Sequence, residues 1–495
     1  MRERVTFLQG PSADVDPAAL QIEAAGLLGP SAEAIRQDRF SLSLDELPRD
    51  LATLLGAFDE LHLKWASPVA YETLDPFGSR ISPGLHVLYT TAENDGVKAT
   101  KLCSALQAFG SLDCTKPEAF TVTTTEPGSD KKSSYFYQEL NDLSAFVASS
   151  VGTLCSSSDA TCESRLRNLR TASSLDISYE SGSQTLKVTP LWPLERREIA
   201  VPRSSGRTEV GIFAQDTPHK AEMHELGVAG LLSVLGEKKD PSATVFSFPS
   251  RHRTSDSHFS CEFLEPAGLH PTLQLKLSSA KLPLDDAGCA PYAYFTLPKT
   301  IFADRYQYED SLFLASKNLT ASRYTSFPVD LEAPAYTTTT WGSSVLLELA
   351  PPASGQPGDW TAEVPLHLRY LKPSASGRVP VEVPYPAVFW ACDMAGEVDF
   401  PTNPFDRRQL GYDGLFSSQT SFWHVAPKPV SGNRITSALY VPVLRDEGAA
   451  WIRLGTTVAV GLGFAWVLWK LLGVYRVAGY GSVAAEAARK DKKTR

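Results

Sequence analysis

The stretch "TLQLKLSSA" at residues 272–280 alternates strictly between apolar and polar side chains. Successive side chains of a β-strand point to opposite faces, so Leu273, Leu275 and Leu277 would lie together on one face. One apolar face and one polar face are typical of a strand in an antiparallel sheet that packs on a core.

Similar runs follow this strand and are separated by turns rich in proline and glycine. They are "SSVLLELAPP" at 343–352 and "VPLHLRYL" at 364–371, with the turn "PASGQPGD" at 352–359 between them. Several short alternating runs with turn signals indicate a β-sandwich. The sequence therefore predicts an antiparallel, sandwich-like β domain over residues 239–445.

The first half of the chain mixes strand and helix patterns. "RVTFLQG" at 4–10 indicates an opening strand, and "SLDISYESGSQTLKVTPLW" at 174–192 indicates a hairpin. Apolar residues at helical spacing predict helices in "GVKATKLCSALQAFGSL" at 96–112 and in "HKAEMHELGVAGLLSVLG" at 219–236. We assign residues 1–238 to an N-terminal α/β region.

A long apolar segment near the C-terminus completes the predicted fold. "LGTTVAVGLGFAWVLWKLLGVY" at 454–475 has 22 residues and a single charge, Lys470. A helix of that length spans about 33 Å, enough for the hydrocarbon core of a bilayer. The predicted fold class is therefore mainly β, with an α/β N-terminal region and one C-terminal transmembrane helix.

The tail after this segment, residues 476–495, contains six basic and two acidic residues. Basic flanks stay on the cytosolic side of a membrane, so the body of the protein is expected in the lumen. Lys492 and Lys493 lie four and three positions from the C-terminus, as in the dilysine retrieval signal of endoplasmic-reticulum membrane proteins. The alternative, a tail-anchored protein with a cytosolic body, would put this basic tail in the lumen. The first twenty residues lack the apolar region of a signal peptide, which leaves the insertion route open.

Seven cysteines leave at least one thiol unpaired. Cys155 and Cys162 flank a hydrophilic loop and could close a small disulfide. Two further pairs are possible, and one cysteine in an apolar run is expected to be a buried thiol. The possible pairs are Cys103 with Cys114 and Cys261 with Cys289, and the expected thiol is Cys392.

"NLT" at 318–320 makes Asn318 the one N-glycosylation acceptor in the sequence.

Charge and motifs argue against several function classes. The net charge of −9 argues against a broad basic face for nucleic acids. "HEL" at 224–226 lacks the second histidine of a zinc protease, and the sequence contains neither a G-x-S-x-G elbow nor a phosphate-binding P-loop. His252 and His258 have no cysteine or acidic partner at ligand spacing. We therefore predict no catalytic, cofactor-binding or metal-binding residues.

Seven sequence blocks in the second half carry a family resemblance. They are "TVFSFPSRHR" (244–253), "EPAGLHPTLQL" (265–275), "LPKTIFADRYQY" (297–308), "DLEAPAY" (330–336), "WGSSVLLEL" (341–349), "VPLHLRYLKPS" (364–374) and "YPAVFWACD" (385–393). In this order, and followed by one membrane helix, they closely resemble the PIG-X family. The resemblance covers about residues 240–475, and the longer first half is similar to that of fungal members.

The resemblance implies a noncatalytic subunit of glycosylphosphatidylinositol (GPI) mannosyltransferase I in the endoplasmic reticulum. Its implied partner is the multi-span catalytic subunit PIG-M, which transfers the first mannose from dolichol-phosphate-mannose to the growing GPI lipid. The alternatives are a free-standing lumenal chaperone or quality-control protein, and a lumenal hydrolase or transferase acting alone. Animal members are shorter and begin with a signal peptide, unlike this chain.

Two groups of residues are candidates for contact with such a partner. His367 and Arg369 alternate along "VPLHLRYL" and would share a face that meets the partner, a lipid phosphate or simply water. Gly455, Ala459 and Gly463 recur every four residues and would form a small-residue face on the membrane helix. The alternative for this face is that the helix serves only as an anchor.

Overall fold

A computed structural model of the chain describes residues 1–478 and residue 490 with internal gaps. The gaps are residues 12, 14–15, 92–95, 125–131, 156–158, 218–221, 223, 238–239, 285–287, 327–329, 353–357, 395–397, 399 and 401–402. The chain forms two compact units. The first comprises Met1–Tyr370 and Val381–Leu439, and the second comprises Leu371–Pro380 and Tyr440–Arg495.

The strands of residues 2–249 form one large sheet. They are β1 (Arg2–Gln9), β2 (Gln21–Glu23), β3 (Gly26–Ser43), β4 (Glu60–Ala66), β5 (Gly84–Thr90), β6 (Thr121–Thr124), β7 (Lys132–Gln138), β8 (Ser174–Glu180), β9 (Thr185–Pro202), β10 (Arg207–Gln215), β11 (Glu225–Val234) and β12 (Ser242–Pro249). Their spatial order is β12-β11-β10-β1-β3-β9-β8-β4-β5-β7-β6, and β2 pairs with β3. The pairs are antiparallel except β1 with β10.

Among the described residues, four short α-helices belong to this first half. They are α1 (Arg49–Leu55), α2 (Gly96–Leu106), α3 (Ser144–Leu154) and α4 (Ala160–Asn168). Leu102 and Leu106 of α2 and Val147 of α3 pack with Trp65 of β4 and Val87 of β5 in one buried apolar cluster. The helices thus cover apolar residues of the sheet, and the polar residues of β4 point to its other face.

The strands of residues 252–442 form the second half of the β structure. They are β13 (His252–Phe263), β14 (Thr272–Leu277), β15 (Gly288–Pro298), β16 (Ile301–Phe302), β17 (Leu319–Thr325), β18 (Gly342–Leu349), β19 (Trp360–Pro365), β20 (His367–Leu368), β21 (Arg378–Pro384), β22 (Ala387–Asp393), β23 (Thr420–Pro427) and β24 (Thr436–Pro442). Eight of them form a second sheet in the order β17-β18-β15-β22-β23-β13-β14-β19. A short helix, α5 (Ser311–Ser316), precedes β17.

The two sheets share the first compact unit. Trp341, just before β18, packs in the apolar cluster of the first sheet and donates from Nε1 to the carbonyl oxygen of Tyr135 at 2.9 Å. The division between the sheets lies between Pro249 and His252. The domain boundary that the sequence predicts after residue 238 stays a prediction.

The predicted fold class is confirmed, because the sheets are mostly antiparallel, the N-terminal region combines strands with helices, and one long apolar helix lies near the C-terminus. β14 and the hairpin of β8 and β9 lie where the sequence predicts them. α2 covers most of the helix predicted at 96–112, and a 3-10 turn at Gln107–Phe109 extends it.

The helix predicted at 219–236 is wrong, because residues 225–234 form β11. Leu226 and Val228 alternate and pack in a buried cluster with Phe213 of β10. At Gly230 a Cβ would lie 2.0 Å from the carbonyl oxygen of Ile212, so only glycine allows the two strands to approach so closely. Tertiary packing therefore overrides a weak helical pattern.

The C-terminal helix α6 (Asp446–Ala478) contains the predicted span at 454–475. The most apolar 18-residue stretch within Asp446–Val477 has a mean hydropathy of 1.7, and the apolar side chains of the helix are exposed in the structure. Among the described residues it is the one helix that is long and apolar enough to cross a membrane. These properties fit a single-pass membrane protein.

The cysteines form a pattern that the sequence left partly open. Disulfides join Cys103 to Cys114 and Cys155 to Cys162. A third disulfide joins Cys289 to Cys392, which are direct neighbours in the register of β15 and β22.

The possible pair of Cys261 with Cys289 and the buried thiol expected at Cys392 are therefore wrong. Cys261 is the free cysteine, and burial raises the pKa of its thiol to about 12. Strand register decides this pairing, and the sequence alone does not give the register of strands a hundred residues apart.

We expect the Cys289–Cys392 disulfide to contribute most to stability, because it closes the longest loop. Changing both residues to Ala should lower the free energy of unfolding by about 2–4 kcal/mol. The matched change of Cys155 and Cys162, which close a seven-residue separation, should cost less. Urea unfolding of both variants in detergent measures the difference. Equal losses would contradict the expectation, and non-reducing peptide mapping checks the pairing itself.

Candidate functional site: a charged cavity on the polar face of the first sheet

The predicted outward face of His367 and Arg369 does not form. Arg369 is 6% exposed, donates from Nη1 to the carbonyl oxygen of Ala333 at 2.8 Å, and lies over the ring of Phe302. His367 is half-buried, with its Nδ1 3.1 Å from Nδ1 of His270. The prediction that this pair shares an exposed polar face is therefore wrong.

The reason is a break in the strand. β19 ends at Pro365, and the two-residue β20 pairs with β16 in a separate small sheet. The alternation therefore stops, and Tyr370 is exposed whereas Leu366 is fully buried. Arg369 consequently acts within the fold.

Asn318 lies in the turn between α5 and β17 and is exposed. Its backbone is left-handed, with φ at 54°, and its Nδ2 donates to the carbonyl oxygen of Thr361 at 2.8 Å. A glycosylated amide keeps one N–H, so this hydrogen bond is compatible with a glycan.

The other predicted contact residues lie on or beyond α6. Gly455, Ala459 and Gly463 are exposed, and no described side chain lies within 4 Å of a Cβ built on either glycine. Lys492 and Lys493, the predicted retrieval signal, lie outside the described residues. The role of these five residues stays a prediction.

A cavity of about 250 Å³ lies where the polar face of the first sheet meets the segment at 403–408 that connects β22 and β23. Side chains from β3, β4, β8 and β9 line one wall, and the connecting segment lines the other. Elements from both halves of the chain therefore line the cavity.

A buried ion network forms the floor of this cavity. Arg407 donates to Asp176 through Nε and Nη2, each at 2.7 Å from a carboxylate oxygen, and Lys64 Nζ lies 3.3 Å from Asp176 Oδ2. Burial opposes ionisation of Asp176, but the charges of Arg407 and Lys64 outweigh it and hold the pKa of that carboxyl well below its usual range. Burial lowers the pKa of Lys64, and Asp176 partly offsets this effect. Asp176 is therefore held as a carboxylate between two basic side chains.

Two further cavity residues lack such partners. Arg39 has no carboxylate within ion-pair distance among the described residues, and its Nη1 donates to the carbonyl oxygen of Pro404 at 2.5 Å. Burial, with the nearby charge of Arg4, lowers its pKa to about 10. His62 is 5% exposed, and neither ring nitrogen has a hydrogen-bond partner in the described part of the chain; Nε2 lies 3.5 Å from a carboxylate oxygen of Glu60.

Asp406 lies in the cavity wall beside a pair of histidines. Its Oδ1 is 4.0 Å from Nε2 of His252, whose Nδ1 is 3.1 Å from Nε2 of His424. Burial is the main cause that raises the pKa of Asp406 to about 7, and it also lowers the pKa of His424 to about 3. The pair of His252 and His258 considered in the sequence is thus replaced by a buried pair of His252 and His424.

We predict that Asp406 makes stability depend on pH. Its folded-state pKa lies above the usual value near 4, so its favourable contribution is complete below about pH 4 and is lost as the pH rises through about 7. Asp406→Asn should therefore raise the free energy of unfolding at pH 8 by on the order of 1–4 kcal/mol, and the gain should vanish near pH 4.

Urea unfolding in detergent across this pH range measures the effect. Asp216→Asn, at an exposed position, is the matched control and should follow the wild type. A constant difference between Asp406→Asn and the wild type at every pH would contradict the prediction.

The sequence carries one local signal for this site. In "ELHLKWA" at 60–66, His62 and Lys64 alternate with Leu61 and Leu63, as charged residues on a buried strand would. Asp176 and Arg407 are 231 positions apart, so no local pattern could pair them.

The sequence of the chain is similar to those of several known proteins. A family model described as PIG-X / PBN1 matches residues 266–472. "Protein PBN1" of Gibberella zeae is 54% identical over 501 residues, covering 100% of both chains. "Protein pbn1" of Neurospora crassa is 51% identical over 99% of this chain and 98% of its own. "Protein PBN1" of Yarrowia lipolytica is 26% identical over 93% of this chain and 94% of its own.

Proposed function

Because the chain belongs to the PIG-X/PBN1 family, we propose that it is a noncatalytic, stabilising subunit of GPI mannosyltransferase I. The observation that carries the proposal is the likeness to Protein PBN1 over the full length of both chains. In this role the protein is needed for transfer of the first mannose from dolichol-phosphate-mannose to the GPI precursor. It supplies no catalytic residue and requires no cofactor.

The proposed location is the membrane of the endoplasmic reticulum, with the body in the lumen and the C-terminus in the cytosol. The three disulfides of the described residues support a lumenal body, because disulfides persist in oxidising compartments. Lys492 and Lys493 would then face the cytosol, where a dilysine retrieval signal is recognised.

The proposed partner is a multi-span catalytic mannosyltransferase subunit of the PIG-M type. The small residues of α6 support a contact within the membrane, because Gly455, Ala459 and Gly463 let a neighbouring helix approach closely. The rest of the helix surface meets membrane lipid.

We expect Asn318 to carry a glycan, because it is exposed and lies in the lumen under the proposed topology. Endoglycosidase treatment should reduce the apparent mass of the wild type and leave Asn318→Gln unchanged. Thr320→Val, which removes the acceptor motif and keeps Asn318, should behave like Asn318→Gln, whereas Thr320→Ser should remain glycosylated. Digestion of the body by protease in intact microsomes would contradict this topology.

The small-residue face of α6 is tested by affinity purification of the chain in mild detergent, which measures how much partner protein is recovered with it. The wild-type chain should recover a multi-span protein in stoichiometric amount. Ala459→Leu with Gly463→Leu should reduce that recovery severalfold, because bulky side chains prevent close helix packing and leave insertion intact. The protease resistance of the body, measured in parallel, should stay unchanged.

Gly461→Leu is the matched control, because residue 461 points about 200° away from residues 459 and 463 at 100° per residue. Its recovery should equal that of the wild type. Unchanged recovery in the double variant would show that α6 is only an anchor. Absence of any multi-span partner from the wild-type chain would instead favour the free-standing chaperone.

A further inference from the structure

The cavity between the first sheet and the segment at 403–408 contains polar groups that the fold does not satisfy. Buried polar atoms are nearly always hydrogen-bonded, so an exception needs an explanation. Both ring nitrogens of His62 and Oδ1 of Asp406 lack hydrogen-bond partners among the described residues, and both side chains line the cavity. These atoms point to a polar occupant.

Hydrogen-bond donors with spare capacity surround the same space. Arg407 is fully engaged, since it binds Asp176 through two nitrogens and Ser79 through the third. Lys64 uses one long contact of 3.3 Å and has three N–H groups. Arg39 has five N–H groups, and in the described structure the one recorded hydrogen bond goes to Pro404.

The charge of the lining favours an anion. Five cationic side chains line the cavity, against three carboxylates. The cations are Arg39, Lys64, Lys187, Arg407 and Arg408, and the carboxylates are Asp176, Glu180 and Asp406. Burial strengthens the attraction between these charges and an anion, because water screens it less than at the surface.

The cavity is accessible and large enough for a small organic anion. The Arg408 side chain is 55% exposed, with its Nε 3.9 Å from Asp406 Oδ2, so this cation lies at the mouth beside the cavity wall. A single water needs about 10–15 Å³ of such space, and 250 Å³ is many times larger. The space therefore suits a sugar-sized group with its charged end at the floor.

We propose that this cavity binds a phosphate group carried on a small polar molecule, with Lys64 and Arg39 as its inner donors and Arg408 at the entrance. A phosphate offers three oxygens to donors in different directions, which matches cations placed on separate strands and on the connecting segment. His62 donates to the same group or to its hydroxyls through one ring N–H. The ligand is either a soluble sugar phosphate or the headgroup of a phospholipid, which share this chemistry.

The test of this site does not depend on the proposed subunit role, because binding is measured on the purified full-length chain in detergent, without a partner subunit. Titration calorimetry uses three probes: inorganic phosphate, mannose 1-phosphate, and mixed micelles containing phosphatidylinositol. We expect saturable binding of at least one. Binding of the soluble sugar phosphate identifies a soluble ligand, and binding of the mixed micelles alone identifies a lipid headgroup.

Two variants test the assignment. Arg39→Gln should weaken binding about 10- to 100-fold, the usual effect of losing a charge-assisted hydrogen bond. Arg408→Gln, at the exposed mouth, should weaken it severalfold without affecting folding. Arg196→Gln removes an exposed cation of β9 that does not line the cavity, and should leave the affinity unchanged.

The proposal is overturned if none of the three probes binds saturably to the wild type. It is also overturned if Arg196→Gln weakens binding as much as the cavity variants, because the effect would then be general charge attraction. Affinity that is the same in the wild type, Arg39→Gln and Arg408→Gln would place the bound phosphate elsewhere and overturn it as well.

Discussion

The buried pair of Arg407 and Asp176 joins two distant parts of the chain through two charge-assisted hydrogen bonds of 2.7 Å. Asp176 belongs to β8 of the first sheet, and Arg407 to the segment between β22 and β23 of the second. Removing one member of such a pair typically costs about 3–5 kcal/mol, because the other charge is left buried and unpaired. The geometry of this pair fixes where the connecting segment crosses the sheet.

Other contacts of that segment depend on this crossing. Phe405 packs edge-on against Phe77 at a centroid distance of 5.5 Å, and Tyr412 donates to the carbonyl oxygen of Arg80 at 2.8 Å. Apolar packing and one backbone hydrogen bond therefore flank the charged contact. The cavity lies where the polar residues of β3 and β4 face this segment.

Local patterns in the sequence were sufficient for much of the fold. Strict alternation placed β14, a helical repeat placed α2, and an uninterrupted apolar run placed the membrane helix, since each reports on a single element and its surroundings. Local patterns do not predict β11, because this strand forms only in contact with β10, which Gly230 allows to approach closely. Local patterns also do not predict the Cys289–Cys392 disulfide or the burial of Arg369, because each depends on which strands become neighbours.

The N-terminal strand lies in the interior of the first sheet, between β3 and β10. Arg2 aligns with Arg207 in that sheet, so one edge of β1 stays unpaired until more than two hundred residues have been synthesised. At about 5–20 residues per second this takes roughly 10–40 s. Throughout that interval the nascent chain carries an open edge that invites mispairing, so the order of synthesis makes completion of the sheet a late event.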